Sequence, residues 1–219
     1  MLDKVLRSVR FGNKVLNKIA GALFVVIGVL GVVGGAWYGY SWFHDEAEKE
    51  RARNGTAPKI VAIQDFKRGT DVGPAEEVMV LAQALPAQIR QDPSAYTRWI
   101  IPLHATNAAA LAAPIAFLAE KKRPFSSDLL TPAVQGKGPA GYLMRIDGRL
   151  VDAELHYGAL EKVTGAFDDR ALVIEPFLDG RAAALAPADK SELWIGGLVL
   201  LISLGVIAYG VHEWRHAAG

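Results

Sequence analysis

The sequence of 219 residues contains no cysteine. A disulfide framework, a thiolate zinc site, an iron–sulfur cluster and a cysteine nucleophile are therefore excluded. The formal net charge is only +1, so the chain as a whole lacks the electrostatic field that recruits nucleic acid. Two long stretches also lack charged residues altogether, and they divide the chain into its parts.

Residues 19–43 form the first uncharged stretch, and residues 193–211 form the second. As helices they would be about 37 Å and about 28 Å long, which matches a hydrocarbon core of roughly 30 Å. A soluble domain of this size could not surround two such helices with protein on all sides. The sequence therefore predicts two transmembrane α-helices that flank a domain at residues 44–192.

The charges beside the two stretches indicate their orientation. Residues 1–18 carry five basic residues and one acidic residue, whereas residues 45–53 mix both signs. Because lysine and arginine are retained on the cytoplasmic side, we expect both termini in the cytoplasm and the domain in the periplasm of a bacterial inner membrane. The predicted membrane-interface anchors are Trp37, Trp42, Trp194, Trp214, Lys14 and Lys18.

The leader at residues 1–18 has a pattern of its own. Leu2, Val5, Leu6 and Val9 recur at helical spacing with basic residues between them, which is typical of a basic amphipathic helix on an anionic leaflet. A solvated tail whose charges serve topology alone is the alternative. Residues 212–219 are expected to form a short cytoplasmic tail.

Small residues recur regularly in both uncharged stretches. In lipid there is no hydrophobic drive for helix association, so small residues on one face allow two backbones to approach closely enough to attract. We therefore predict a helix-packing face, whose partner is the other stretch, another copy of the chain or a different protein. Its members are Gly28, Gly31, Gly35, Gly39, Gly196, Ser203 and Gly210.

Between the two stretches, short apolar runs alternate with turn-forming residues, a pattern typical of strands. A helical spacing follows at residues 151–163. The expected extracytoplasmic domain is α+β and mostly β, a small sheet or partly open barrel with one helix. The predicted strands are residues 59–66, 77–85, 97–104, 114–119, 140–146 and 171–178, with Asp147 and Gly148 as a predicted break.

Two motifs resemble parts of a zinc protease. The segment from His212 to His216 matches H-E-x-x-H, which places two imidazoles one helical turn apart. Leu178-Asp179-Gly180 resembles the segment that supplies a third ligand in intramembrane metalloproteases. The two motifs lie at opposite ends of a helix about 28 Å long, so Asp179 is not expected to reach the histidines. We predict no metal site.

A glycine motif resembles a dinucleotide-binding loop. Gly136, Gly138 and Gly141 match G-x-G-x-x-G, but that site needs a helix after the glycines and free amides directed at the pyrophosphate. Here a predicted strand follows, and Pro139 has no amide hydrogen. We therefore predict a hairpin loop. Neither uncharged stretch contains an ionisable residue that would serve transport or ligate haem, and no cofactor is expected.

These readings favour a protein that acts through interactions. We expect a non-catalytic accessory or scaffold subunit of a larger membrane complex of the respiratory or photosynthetic type. Its partners would be other membrane subunits and the lipid bilayer, with no nucleic acid. The first alternative is a transient assembly factor, since the helix–domain–helix layout is similar to that of a family of oxidase assembly proteins. The second is a membrane-bound hydrolase with a triad drawn from Ser126, Ser127 and Asp128 together with His104 or His156, although no G-x-S-x-G elbow is present.

Overall fold

The computed structural model describes residues 2–85, 88–91, 99–108, 114–152 and 172–218. The chain divides into a helical unit, Met1–Ala47 with Ala188–Gly219, and a barrel unit, Glu48–Pro187. The described helices are α1 (Leu2–Asn54), α2 (Arg181–Ala184) and α3 (Ser191–Ala218). The described strands are β1 (Val61–Ala62), β2 (Glu77–Ala84), β3 (Arg90–Gln91), β4 (Trp99–His104), β5 (Ala116–Glu120), β6 (Val134–Lys137), β7 (Tyr142–Val151) and β8 (Leu172–Pro176).

Helices α1 and α3 contain two segments long and apolar enough to cross a membrane, Lys18–Asn54 and Leu193–His216. The leader is helical from Leu2 and continues into α1 without a break, and α3 continues through the predicted tail to Ala218. Helix α1 also includes the charged residues that follow the first apolar stretch, and Gly55 comes directly after its last residue. Two long apolar helices therefore flank the β-rich domain in the sequence.

Five strands close into a barrel. Strands β2, β4 and β5 pair in sequence as an antiparallel meander, and β7 pairs antiparallel with the other edge of β2. The order β7-β2-β4-β5 is a Greek key, because the fourth strand returns to lie beside the first. Strand β8 closes the barrel by pairing parallel with β5 and antiparallel with β7. A five-stranded Greek-key barrel is the architecture of the OB-fold.

Alternate residues of these strands form the main hydrophobic core, as expected from the period of two along a strand. The largest of them is Trp99, which is fully buried and packs edge-on against Phe125 with 5.5 Å between ring centroids. The buried members of the core are Ile63, Val78, Val80, Ala82, Ala84, Trp99, Ile101, Leu103, Ala116, Leu118, Met144, Ile146, Leu150 and Ile174.

Most of the predicted strands match a strand of the barrel. The structure corrects the remaining predictions as follows. Residues 59–66 contain only the short strand β1 and a 3-10 turn at Ile63–Asp65, while β3 and β6 are strands that the sequence pattern did not predict. The short helix α2 is a further element that the sequence pattern did not predict. The predicted helix at 151–163 starts on Val151, which is the last residue of β7; its remainder from residue 153, including His156, lies outside the described residues.

The predicted break at Asp147 and Gly148 is wrong, because both residues lie inside β7. Gly148 is opposite Val78 of β2 on one side and Pro176 of β8 on the other. A Cβ atom at Gly148 would lie 2.5 Å from the carbonyl oxygen of Glu175. The glycine therefore permits a close approach of β7 to β8 and does not make a turn.

A proline inside β4 has a similar explanation. Prolines are normally confined to sheet edges because they cannot donate to the ladder. On one side of β4, Trp99 and Ile100 pair with β3, whereas Leu103 and His104 pair with β2. Pro102 lies between these two pairings, where that side of the strand has no partner among the described residues. The missing N–H group is therefore accommodated within a barrel strand.

Candidate functional site

The small residues predicted to form a helix-packing face lie mostly between α1 and α3 of the same chain. A Cβ atom at Gly28 would lie 2.5 Å from Cγ1 of Ile207 and 2.8 Å from the carbonyl oxygen of Ser203. At Gly31 the nearest atom is the Ser203 hydroxyl, which donates a hydrogen bond of 2.7 Å to the carbonyl of Val199. The two backbones are therefore closer here than any larger residue would allow.

Further along the pair, the backbones of α1 and α3 also touch directly. A Cβ atom at Gly210 would lie 2.7 Å from the carbonyl oxygen of Gly21, a residue not included in the predicted face. Gly35 contacts Leu200, and Gly196 contacts the ring of Tyr38. The described surroundings of Gly39 contain no atom within 4 Å of such a Cβ, so this predicted member lies away from the contact.

Four of the six predicted interface anchors, Trp37, Trp194, Trp214 and Lys18, have exposed side chains. Trp194 is 81% exposed, Trp37 69% and Trp214 53%. Trp42 is only half-buried and packs edge-on against Phe43, with 5.2 Å between ring centroids. Lys18 is exposed, and the side chain of Lys14 lies outside the described residues. Exposed tryptophans near both ends of the apolar segments are the distribution expected at membrane–water interfaces.

The zinc-protease motif forms only a pair of histidines. The rings of His212 and His216 lie 4.3 Å apart near the end of α3, as expected for residues one helical turn apart. No group of three or more potential metal ligands occurs among the described residues. Asp179, which belongs to the second motif that resembles a zinc protease, forms an ion pair with Arg123 in the barrel unit.

The glycine motif lies at the hairpin loop between β6 and β7, and two amides of this loop donate hydrogen bonds to the side chain of Gln83. The side-chain oxygen of Gln83 accepts hydrogen bonds from Ala140 (2.9 Å) and Gly141 (3.3 Å). Its side-chain nitrogen donates to the carbonyls of Ala105 and Ala108. A Cβ atom at Gly138 would overlap the Gln83 amide, which explains the glycine there. The amides of Ala140 and Gly141 therefore already have a hydrogen-bond acceptor inside the fold and are not available to bind a phosphate group.

Two residues of the hydrolase alternative, His104 and Ser126, make contacts within the fold, whereas His156 lies outside the described residues. His104 is 1% exposed, and its Nε2 lies 2.8 Å from the side-chain oxygen of Gln88. The hydroxyl of Ser126 accepts a hydrogen bond from the amide of Asp128 at the start of a 3-10 turn. This is the capping role that serine commonly has at the start of a helical turn.

A cavity of about 270 Å³ in the barrel unit combines charged residues with an apolar wall. Its charged lining contains four cationic and three anionic side chains. The apolar wall comes from the segment after β8 and from α2, including Phe177, Leu178 and Leu185. Sequence reasoning missed this site, because its charged residues come from four separate segments. They are Lys49, Glu120, Lys122, Arg123, Arg149, Glu175 and Asp179.

Five of these seven charged groups are already engaged. Arg149 binds Glu175 through Nε at 2.7 Å and Nη2 at 2.5 Å. Glu120 is 6% exposed, and its carboxylate accepts hydrogen bonds from the amides of Lys121 (2.8 Å) and Lys122 (2.6 Å), which fixes the turn after β5. The fourth and fifth engaged groups are Arg123 and Asp179.

Arg123 and Asp179 form a bidentate ion pair at the rim of the cavity. The hydrogen bond from Arg123 lowers the pKa of Asp179 below its ordinary value of 3.8 and raises the pKa of Arg123. For a carboxyl whose pKa is lowered by folding, the stabilisation is complete above the unfolded value and is lost as the pH falls through the folded value. Because both side chains are exposed, solvent screens this contribution.

We therefore expect the Asp179 carboxyl to titrate below pH 3.8 in the intact protein. In Arg123→Met the pKa should return to the ordinary range, because the hydrogen bond is lost. Carbon-13 NMR of the aspartate carboxyls across pH 2–6 measures both values. A carboxyl that titrates identically in the two proteins would contradict the ion pair.

A second, more buried ion pair ties the start of β2 to α2. The carboxylate of Glu77 is 3% exposed and accepts from Arg181 Nε at 2.5 Å and Nη2 at 3.1 Å. Arg181 Nη2 also donates to the carbonyl of Ala52 in the last turn of α1 (2.5 Å), and Arg53 donates to the carbonyl of Leu185 (2.7 Å). The hydrogen bond to Glu77 raises the pKa of Arg181, which keeps it charged at every working pH.

The rim of the cavity also carries two unusual backbone conformations. Ala75 and Glu76, just before β2, have φ values of 58° and 55°. Left-handed conformations are uncommon in residues other than glycine, and two in succession favour a tight turn of the primed type. The amide of Ala75 approaches the carboxylate of Glu48 at 3.5 Å, within the barrel unit.

Comparison with known proteins returns no relative: no protein-family model matches the chain, and neither does any curated protein.

Proposed function

We propose that this chain is a membrane-anchored, non-catalytic accessory or scaffold subunit of a larger membrane complex. The observation that carries the proposal is the pairing of α1 and α3 through their small residues. Because Gly28, Gly31 and Gly35 face the partner helix, the outward faces of the pair present large apolar side chains. These include Leu23, Leu30, Val33, Leu198, Leu201 and Leu204. An apolar surface of this extent requires lipid or the helices of other membrane proteins.

The barrel unit supports a role in binding. Closed Greek-key barrels of five strands are used as binding modules, although this argument rests on the fold alone. In the cavity of the barrel unit, both arginines are held in ion pairs with carboxylates. Such paired groups position a surface for recognition and are poorly suited to proton transfer at neutral pH. The basic leader would place the termini in the cytoplasm and the barrel in the periplasm of a bacterial inner membrane.

Affinity purification of the tagged full chain in a mild detergent tests the proposal. We expect the protein to migrate in native electrophoresis as part of one large complex, with a fixed stoichiometry by mass spectrometry. Recovery in small and variable amounts, and only while a complex is being built, would instead favour the alternative of a transient assembly factor. A protein that runs alone or as a homodimer would contradict both.

A further inference from the structure

The cavity of the barrel unit has an excess of positive charge that its own ion pairs do not cancel. Three of its seven charged groups have no ion-pair partner among the described residues: the ammonium groups of Lys49 and Lys122, and the carboxylate of Glu120, which accepts from two backbone amides. The four cations and three anions leave the cavity with a net charge of +1. Lys49 lies in the last turns of α1, and Lys122 lies in the turn after β5. Two separate elements therefore each contribute a lysine without an ion-pair partner to the lining of one cavity. We infer that this cavity binds the phosphate ester group of a small molecule or of a lipid.

The type of cation favours phosphate over carboxylate. A guanidinium group has a fork that matches a carboxylate, and in this cavity Arg123 and Arg149 already bind carboxylates of the chain itself. What remains are two ammonium groups, which are point charges without a directional fork and commonly bind phosphate. A phosphate monoester also carries more charge than a carboxylate at neutral pH, so it benefits more from two cations in one cavity, whereas a phosphate diester carries a single charge.

The size and the remaining wall of the cavity restrict the ligand further. The volume of about 270 Å³ lies below the range of roughly 300–1,000 Å³ typical of drug-sized ligands. A phosphate ester with a short polar body, such as glycerol phosphate, is therefore the appropriate size. Phe177, Leu178 and Leu185 provide an apolar wall that the carbon chain of such an ester would contact. Lipid headgroups and soluble phosphate esters share this chemistry.

Calorimetric titration of the full chain in an uncharged detergent tests the inference with glycerol phosphate and with a short-chain phosphatidylglycerol. We expect saturable binding of at least one of them, weakened about tenfold or more in Lys49→Gln/Lys122→Gln because both free cations are removed. Lys137→Gln is the matched control, since Lys137 is an exposed lysine of β6 outside this cavity. Circular dichroism confirms that the variants fold.

The two arms distinguish the source of the phosphate. Tighter binding of the phosphatidylglycerol identifies a lipid headgroup with its chains against the apolar wall, and tighter binding of glycerol phosphate identifies a soluble ester. The pH dependence gives a second readout, because a monoester has a second pKa near about 6 whereas a diester has none. No histidine lines the described cavity, so glycerol phosphate alone should bind more weakly at pH 5.5 than at pH 7.5.

Three results would overturn the inference. The first is that neither phosphate compound shows saturable binding. The second is that the double lysine variant binds as tightly as the original chain. The third is that a glutamate-rich peptide binds through Lys49 and Lys122 while both phosphate compounds fail, which would assign the cavity to an acidic protein segment. None of these results depends on the membrane complex, so they are independent of the proposed function.

Discussion

Replacing Arg181 with methionine should destabilise the barrel unit by about 3–5 kcal/mol, because it leaves the carboxylate of Glu77 buried without its partner. Glu77 is 3% exposed and receives two hydrogen bonds from Arg181, which also donates to the carbonyl of Ala52. Methionine fills a similar volume but donates no hydrogen bond. In a unit of this size, such a loss corresponds to a fall in melting temperature of roughly 10 °C or more. Thermal unfolding of the full chain in detergent measures it.

Two further variants separate the loss of the ion pair from the loss of an arginine side chain. Arg123→Met removes the same atoms from an exposed pair at the rim of the cavity, and it should change the melting temperature little, since exposed ion pairs are screened by water. Glu77→Leu/Arg181→Met removes both buried charges together and should recover most of the stability. If Arg181→Met melts at the same temperature as the original chain, the pair does not hold the unit together.

Replacing Gly28 with leucine should separate α1 from α3. Even a Cβ atom at this position would lie 2.5 Å from Ile207 and 2.8 Å from the backbone oxygen of Ser203. A side chain can rotate away from such a contact but a backbone carbonyl cannot, so the helices must move apart. Overpacking typically costs about 1–3 kcal/mol, which corresponds to a change of about 5- to 150-fold in the population of the paired state.

The absence of cysteine from the chain makes this separation measurable. Phe24 and Tyr209 face each other across the pair with 5.4 Å between ring centroids, so cysteines at these two positions should be joined rapidly by a short thiol-reactive cross-linker. We expect the rate to fall roughly tenfold in Gly28→Leu. Gly34→Leu is the matched control on the same helix, because its surroundings contain no atom within 4 Å of a Cβ. Equal rates in the two variants would show that the small residues do not hold the helices together.

The long helices and most of the barrel strands could be predicted because their signals are local. An uncharged run predicts an apolar helix, and a run such as that of β2 predicts a strand from the alternation of Val78, Val80 and Ala82 alone. The closure of the barrel is different, since it depends on the pairing of β2 with β7 and of β5 with β8. A single sequence contains no direct signal for such long-range pairings, so an open sheet and a barrel remained equally compatible with it.

The wrong and missing predictions share one cause, which is that a residue's local preference was overridden by a distant neighbour. Gly148 favours a turn by itself, but in the fold it faces the backbone of Glu175. The charged cavity was missed for the same reason, since its residues are ordinary surface residues until the fold brings them together. By contrast, the glycine motif at residues 136–141 was interpreted from its flanking strand and from Pro139, both of which are local features.

The contacts of Arg53 and Arg181 also hold the two ends of the barrel unit close together. Because Arg181 binds the carbonyl of Ala52, and Arg53 binds that of Leu185, the chain leaves the barrel unit within hydrogen-bond distance of the point where it came in. Domains whose ends lie this close together can be inserted into a surface loop of another protein without forcing that loop open. Recombination or protein engineering could therefore transfer the barrel unit as an intact domain to a different pair of helices.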